Sequence, residues 1–259
     1  MFKRKYGKST ICFILLLCGL CLQSIRANEN NSIVVFGASG RIGQVIVVEA
    51  LERGHKVIGV SRNPENLQIK HENFISAKGD LTSVEDIKQF AKTASTFVIS
   101  ISAKAPDNLP ENSLLVKVTE NVHSALENMK NRPYIVQVGG ANLMYGSSYE
   151  EVKKNMQDAP FVFEKGTDMH AVLFGHQISL DMYRAGGLEW TVAVPPMRIL
   201  GIYGKLDKEM SRGDFRLSTT EALVDEEGKK SIYVRDFVIA IVDEIENKKF
   251  TGQVFHAAY

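Results

Sequence analysis

From Ser32 onward, short apolar runs alternate with longer amphipathic ones. Runs rich in β-branched residues predict strands over Ser32–Phe36, Lys56–Val60, Asn73–Ala77, Thr96–Ser102, Tyr134–Val138 and Trp190–Val194. Nearly continuous apolarity marks them as central strands covered on both faces. Helical periodicity predicts helices over Arg41–Arg53, Ser83–Lys92, Ser113–Asn128, Gly175–Ala185 and Val234–Glu246. Thr82-Ser83-Val84-Glu85 offers an N-cap with an acid in the first turn. Gly54 and Gly186-Gly187 are expected to end helices in left-handed backbone. Strands alternating with helices in this way build an α/β fold, a doubly wound parallel sheet with helices on both faces.

Two stretches depart from the rhythm. Ala141–Phe174 mixes Gly, Ser, Asp and Asn with aromatics directly after a strand. Ligands in open α/β sheets bind beyond the carboxyl ends of strands, so this segment is expected to bind substrate. Residues 195–233 are rich in turns and read as a small C-terminal cap on the substrate side of the same domain.

The first 27 residues change the picture. They hold five bases (Lys3, Arg4, Lys5, Lys8, Arg26) and no acid, followed from Ile11 to Leu22 by an apolar run. A bilayer-spanning helix needs about 20 residues, so the run reads as a signal peptide over residues 1–27, with a short membrane anchor as the alternative. Basic residues before an apolar run stay on the cytoplasmic side, so residues 28–259 would be exported, and membrane contact would come through the N-terminal segment alone. Cys12, Cys18 and Cys21 all lie in this leader, so the body has neither a thiol nucleophile nor a cysteine metal site. Of 31 basic and 30 acidic residues, 26 and 30 fall after residue 27, a net of −4. That balance argues against a nucleic-acid partner, which needs a basic face, and leaves a small-molecule substrate.

Candidate chemistry begins at Gly37-Ala38-Ser39-Gly40-Arg41-Ile42-Gly43, a G-x-x-G-x-x-G turn between an apolar strand and an apolar helix. The first glycine permits the tight turn, the second lets the backbone approach a pyrophosphate, and the third lets helix pack on strand. The phosphates would meet the free N–H groups of the helix start. An acid about 20 residues further on would select NAD through its ribose hydroxyl. This chain has Ser61-Arg62 instead, and an arginine fork suits a 2′-phosphate, so NADP(H) is favoured over NAD(H). Asp80-Leu81 is placed to flank an adenine, or equally to cap the next helix.

The segments "FGASGRIG", "RGHKVIGVSRNP", "GDLTS", "YIVQVGGAN", "GGLEWTVAVPPM" and "SIYVRDFVIAIVDEIE" follow one another between residues 32 and 259. In that order they resemble the atypical short-chain dehydrogenase/reductases of the NAD(P)H-binding type, a group that includes the biliverdin IX-beta reductase/flavin reductases. The resemblance implies a Rossmann-type fold and an NADP(H) site using Gly37, Ser39, Gly40, Arg41, Ile42, Ser61 and Arg62. It also implies that strand-end residues, including Ser100, Ser102, Pro195 and Met197, line the nicotinamide side.

Catalytic groups are less distinct. Tyr149 and Lys153 have the Tyr-x-x-x-Lys spacing of the wider superfamily, where lysine lowers the tyrosine pKa, but "VGGAN" lacks the accompanying serine. His176 is expected to open the helix before "GGLEW", and the resemblance puts a histidine near the substrate pocket, where it could donate a proton. A helix-start histidine bonded to backbone is the plainer alternative. Asp168, His170 and His176 match no metal-ligand spacing, so no metal is expected. Tyr145 and Phe174 could stack on a flat ring, though core packing explains them as well. The reading is an NADPH-dependent reductase of a quinone, flavin or enone. A non-catalytic NAD(P)-binding redox sensor is the alternative, and a sugar-nucleotide epimerase is less favoured.

Overall fold

The computed structural model describes residues 31–156, 164–202 and 211–259; the leader read from the sequence lies outside them. The strands are β1 (Ser32–Phe36), β2 (Lys56–Ser61), β3 (Phe74–Lys78), β4 (Ala94–Ile99), β5 (Tyr134–Val138), β6 (Trp190–Val194), β7 (Arg198–Leu200), β8 (Arg216–Ser218), β9 (Ser231–Tyr233) and β10 (Gln253–Ala258). The helices are α1 (Arg41–Glu52), α2 (Val84–Ala91), α3 (Leu114–Leu126), α4 (Tyr149–Asn155), α5 (Asp168–Ala185) and α6 (Val234–Asn247). Eight strands form one sheet in the order β3-β2-β1-β4-β5-β6-β10-β8, parallel except for the final β10–β8 pair. This is a Rossmann-type sheet, and its order reverses between β1 and β4.

Alternation along β1 feeds two cores. Ile33 and Val35 face a cluster built with α1 and α6, including Ile46, Val47, Phe237 and Ile241. Val34 and Phe36 face a second cluster with α2, α3 and α5, including Ile87, Val118, Leu180 and Tyr183. The ring of Phe36 meets Phe90 and Phe97 edge-on, with centroids 5.7 and 4.9 Å away.

Five expectations need correction. The third strand is an edge, not a central strand: its burial is broken, and Ile75 is 60 % exposed. β4 ends at Ile99, and Ser100 to Ala103 leave the strand. α5 begins at Asp168, capped by the Thr167 side chain, so His176 lies in mid-helix. Gly175 signals no helix start; a Cβ there would come within 2.5 Å of Ser113 Oγ, and the glycine lets α5 press on the start of α3. Gly54 is left-handed as expected, but Gly186 is extended at φ −94°. Its small size matters instead, since a Cβ would strike the His123 ring.

The described residues of the stretch after β5 are less irregular than its composition suggests. Residues 141–174 contain a short 3-10 turn, α4 with a Ser148/Glu151 capping box, and the first turns of α5. Residues 195–233 supply β7, which pairs with β9, and β8, which extends the main sheet, so this segment is only partly a separate cap. β10 carries no helix-like or charged signal to contradict a strand, yet the sequence reading passed over it. Among the described residues, no helix is long and apolar enough to cross a membrane.

Candidate functional site

The backbones of β1 and β4 part at the point where the sheet order reverses. Gly37 sits there at φ +77°, and a Cβ on it would fall 2.1 Å from the Ser100 carbonyl oxygen. No side chain fits. Gly43, one turn into α1, would place a Cβ 2.2 Å from Gly37 O, so the helix lies on the turn itself. Gly40 is the least constrained of the three, at φ −75° with 3.0 Å to Gly37 O. Its N–H closes the turn on Gly37 O at 2.8 Å.

Gly40 is also the N-cap of α1, with no side-chain cap and no acid in the first turn. The helices α2, α3, α4 and α5 instead begin with Ser or Thr side chains that accept from their own N–H groups. The start of α1 therefore keeps its donors and positive dipole end for an outside anion.

Around this turn lies a cavity of about 280 Å³, lined by residues of the β1, β2, β3 and β4 ends and of α3. Of the residues singled out in the sequence, Gly37, Ser39, Gly40, Ser61, Arg62, Asp80, Leu81, Ser100 and Ser102 line it. Ser39 Oγ and Ser61 Oγ are 3.1 Å apart and tie the glycine turn to the end of β2. Ser61 Oγ also accepts from Asn63 N at 3.2 Å, which aims the chain out to exposed Arg62. Arg62 has no ion-pair partner among the described residues. Asp80 lines the cavity but does not cap α2: its Oδ1 accepts from Thr82 N at 2.8 Å in the turn before the helix, and the Ser83 side chain is the cap, accepting from Asp86 N.

Other predicted residues stand elsewhere. Ala38 is fully buried, and its N–H reaches Val60 O at 3.3 Å. Ile42 and Gly43 pack α1 on the sheet, and Arg41 is the exposed first residue of that helix. Pro195 is buried just past β6, and Met197 packs against the cluster of Tyr145, Val152 and Leu173; neither lines this cavity. Tyr145 and Phe174 belong to that same cluster.

Leu114 and Val118 are cavity residues that the sequence reading missed. The available signal was the doubled Leu114-Leu115 after the Ser113 cap. Leu115 enters the core, while Leu114 is 37 % exposed and, with Leu81, adds apolar surface to the crevice.

Tyr149 and Lys153 do lie together, one turn apart on α4, but outside the crevice. Both reach Glu164, the Tyr149 hydroxyl at 3.3 Å and Lys153 Nζ at 3.3 Å. Glu164, and after it Tyr149, raise the Lys153 pKa. His176 is 7 % exposed, and burial pushes its pKa down to about 4, so the imidazole is neutral at pH 7. It does not bond backbone: its Nδ1 is enclosed without a hydrogen-bond partner. His170 packs on Phe174 and Tyr149. Among the described residues, no three His, Cys, Asp or Glu stand together as a metal site.

A larger depression, about 600 Å³, lies by the C-terminal strands among Arg212, Asp214, Arg216, Asp225, Glu226, Glu227 and Lys229. Its charge is mixed and it has no glycine turn or helix start. The crevice at the sheet reversal has both, and is the better seat for a dinucleotide.

Known proteins share the overall fold. YwnB of Bacillus subtilis (strain 168), an uncharacterized protein, is 26% identical over 221 residues, spanning 85% of this chain and 95% of its own. A Streptococcus pneumoniae TIGR4 structure whose name proposes an NADH-flavin reductase superposes with a TM-score of 0.68 at 24% identity, over 88% of this chain and 99% of that one. A Burkholderia pseudomallei structure whose name proposes an exported protein has a TM-score of 0.66 at 27% identity, over 88% and 100%. The model of the NAD(P)H-binding family matches residues 37–220, and the chain belongs to that family.

Proposed function

We propose that this protein is an NADPH-dependent reductase of the atypical short-chain type, acting on a small flat acceptor such as a quinone, flavin or enone. The observation that carries the cofactor choice is Arg62, exposed at the crevice rim and without an ion pair among the described residues, where an acid would favour NAD. Gly37 and Gly40 would let backbone approach the pyrophosphate, the α1 start would meet its charge, and Leu81 and Leu114 would sandwich the adenine. The bound cofactor supplies the hydride, passed from nicotinamide C4 to the acceptor, which also gains one proton. The chain's part is to bind, orient and exclude water.

The test is titration of purified residues 28–259 with NADPH and NADH, followed by turnover with a panel of quinones, flavins and enones. Micromolar NADPH binding with oxidation by one class supports the reading; no NADPH binding refutes it. A non-catalytic redox sensor is the second reading, favoured by the absence of Tyr149 and Lys153 from the crevice lining. It predicts binding with no turnover on any acceptor. We further propose that residues 1–27 direct export of a single domain formed by residues 28–259, or anchor it, supported by the leader's charge and apolar pattern. N-terminal sequencing of the native protein distinguishes cleavage from anchoring.

A further inference from the structure

A hydrogen bond crosses from α3 to the crevice lining. Asn121 is 6 % exposed, and its Nδ2 donates to the buried Leu81 carbonyl oxygen at 3.1 Å. Leu81 lines the crevice beside Asp80 and Thr82, in the turn between β3 and α2. Leu114 and Val118 of α3 line it as well. Asn121 stands seven residues after Leu114 and three after Val118, on the same face of the helix. One stripe of α3 therefore gives the crevice two apolar side chains and, about one turn further along, holds the backbone of a third.

Other hydrogen bonds of the turn act within it or toward α2 and β2. Asp80 N donates to Asp86 Oδ2 at 2.9 Å, Thr82 N to Asp80 Oδ1 at 2.8 Å, Ser83 N to Asp80 O at 3.0 Å and Gly79 N to Ser61 O at 3.2 Å. These set the shape of the turn and seat it on β2 and α2, while the Asn121 bond sets where Leu81 stands relative to α3. Apolar packing is non-directional and does not by itself aim a peptide group, whereas a hydrogen bond has a preferred distance and angle. A buried carbonyl stripped of its donor is costly, so without Asn121 the Leu81–Thr82 peptide would turn to find another. We propose that Asn121 is a positioning residue for the adenine end of the dinucleotide, holding Leu81 at the spacing from Leu114 and Val118 that admits a flat base. Asn121 is not itself part of the lining and acts through Leu81. The proposal rests on the reading above in which Leu81 and Leu114 enclose the adenine.

The test is titration calorimetry of the purified protein with 2′,5′-ADP and with 5′-AMP, which carry the adenine end without nicotinamide, at about pH 8 and about pH 5. Asn121→Leu removes the donor at similar volume and should bind about 10-fold more weakly at both pH values, equivalent to about 1.4 kcal/mol. Asn121→Asp removes the donor only while its carboxylate is ionised; a buried carboxyl readily takes up a proton and then carries one O–H donor. Its affinity should be about 10-fold below wild type at the higher pH and return to within about 3-fold of wild type at the lower. A role confined to packing α3 would lower the melting temperature of both variants and leave their affinities at the wild-type value, which overturns the proposal, as does an Asn121→Asp deficit that ignores pH. If Asn121→Leu fails to fold, the two-pH comparison of Asn121→Asp decides alone. The fragments need no turnover, so a protein that shows this pattern yet oxidises no NADPH refutes the reductase reading and leaves Asn121 in its role. A wild type that binds 5′-AMP as tightly as 2′,5′-ADP refutes the choice of NADP(H) alone, and one that binds neither overturns the proposal together with the nucleotide reading.

Discussion

Replacing Arg62 with alanine isolates the contact that separates NADPH from NADH. The side chain is exposed at the crevice rim, follows buried Ser61 and forms no ion pair among the described residues, so removing it leaves no partner stranded. A 2′-phosphate carries about −1.5 to −2 charge at neutral pH. Hydrogen bonds to charged groups contribute about 1.5–3 kcal/mol, but solvent screens an exposed pair toward the lower end or below it. Taking about 1–2 kcal/mol, NADPH should bind roughly 5- to 30-fold more weakly to Arg62→Ala. NADH lacks the phosphate and should change by less than about 2-fold. Fluorescence titration of both nucleotides measures this directly. Raising ionic strength toward about 1 M, where the screening length is about 3 Å, should shrink the wild-type preference and leave the variant unmoved. Equal weakening of both nucleotides, or of neither, refutes the assignment of Arg62 to the 2′-phosphate.

Other consequences are open to measurement. Gly37→Ala sets a methyl against the Ser100 carbonyl at positive φ; it should cost about 2–5 kcal/mol in thermal unfolding and abolish nucleotide binding, and a variant with wild-type stability would contradict the cradle geometry. Lys153→Ala should leave turnover within about 2-fold, because the lysine serves an exposed pair with Glu164 outside the crevice; a loss of about 100-fold would restore it to the chemistry. Tyr134→Phe removes a 2.6 Å hydrogen bond to buried Glu244 and should cost about 1–3 kcal/mol in urea unfolding. His176 has a folded pKa of about 4 against an ordinary 6.5, so the unfolded chain binds the extra proton between those values. Its contribution is therefore complete above pH 6.5 and falls as pH drops toward 4, by about 3 kcal/mol in all. His176→Phe should flatten that part of the stability profile; an unchanged slope would count against its burial as a neutral ring.

Much of the sheet and the glycine turn could be read from the chain because each rests on local pattern. The strands at Val34, Val136 and Val192 are apolar runs wherever they are placed, Gly43 is demanded by contact with Gly37 six residues before it, and Gly37 by its own positive φ as well as by distant Ser100. What stayed hidden depends on partners far along the chain. Gly175 looks like a helix boundary until Ser113 is known to lie against it. Gly186 looks like a left-handed cap until His123 takes up the space a side chain would need. The apolar wall at Leu114 depends on where the start of α3 lies, and the burial of His176 depends on α5 starting at Asp168, two turns before Gly175.

The alternation in β1 has a consequence for how the gene can change. Ile33 and Val35 serve one core, Val34 and Phe36 the other, and all four are nearly or fully enclosed. Swapping one apolar residue for another alters a single neighbourhood. Deleting one codon within these four transposes the two sets: the Phe36 ring, which fits between Phe90 and Phe97, is turned toward α1 and α6, and the glycine turn is drawn one residue back into the sheet. This strand should therefore drift in composition while holding its length, and a survey of natural variants should find substitutions there without insertions or deletions.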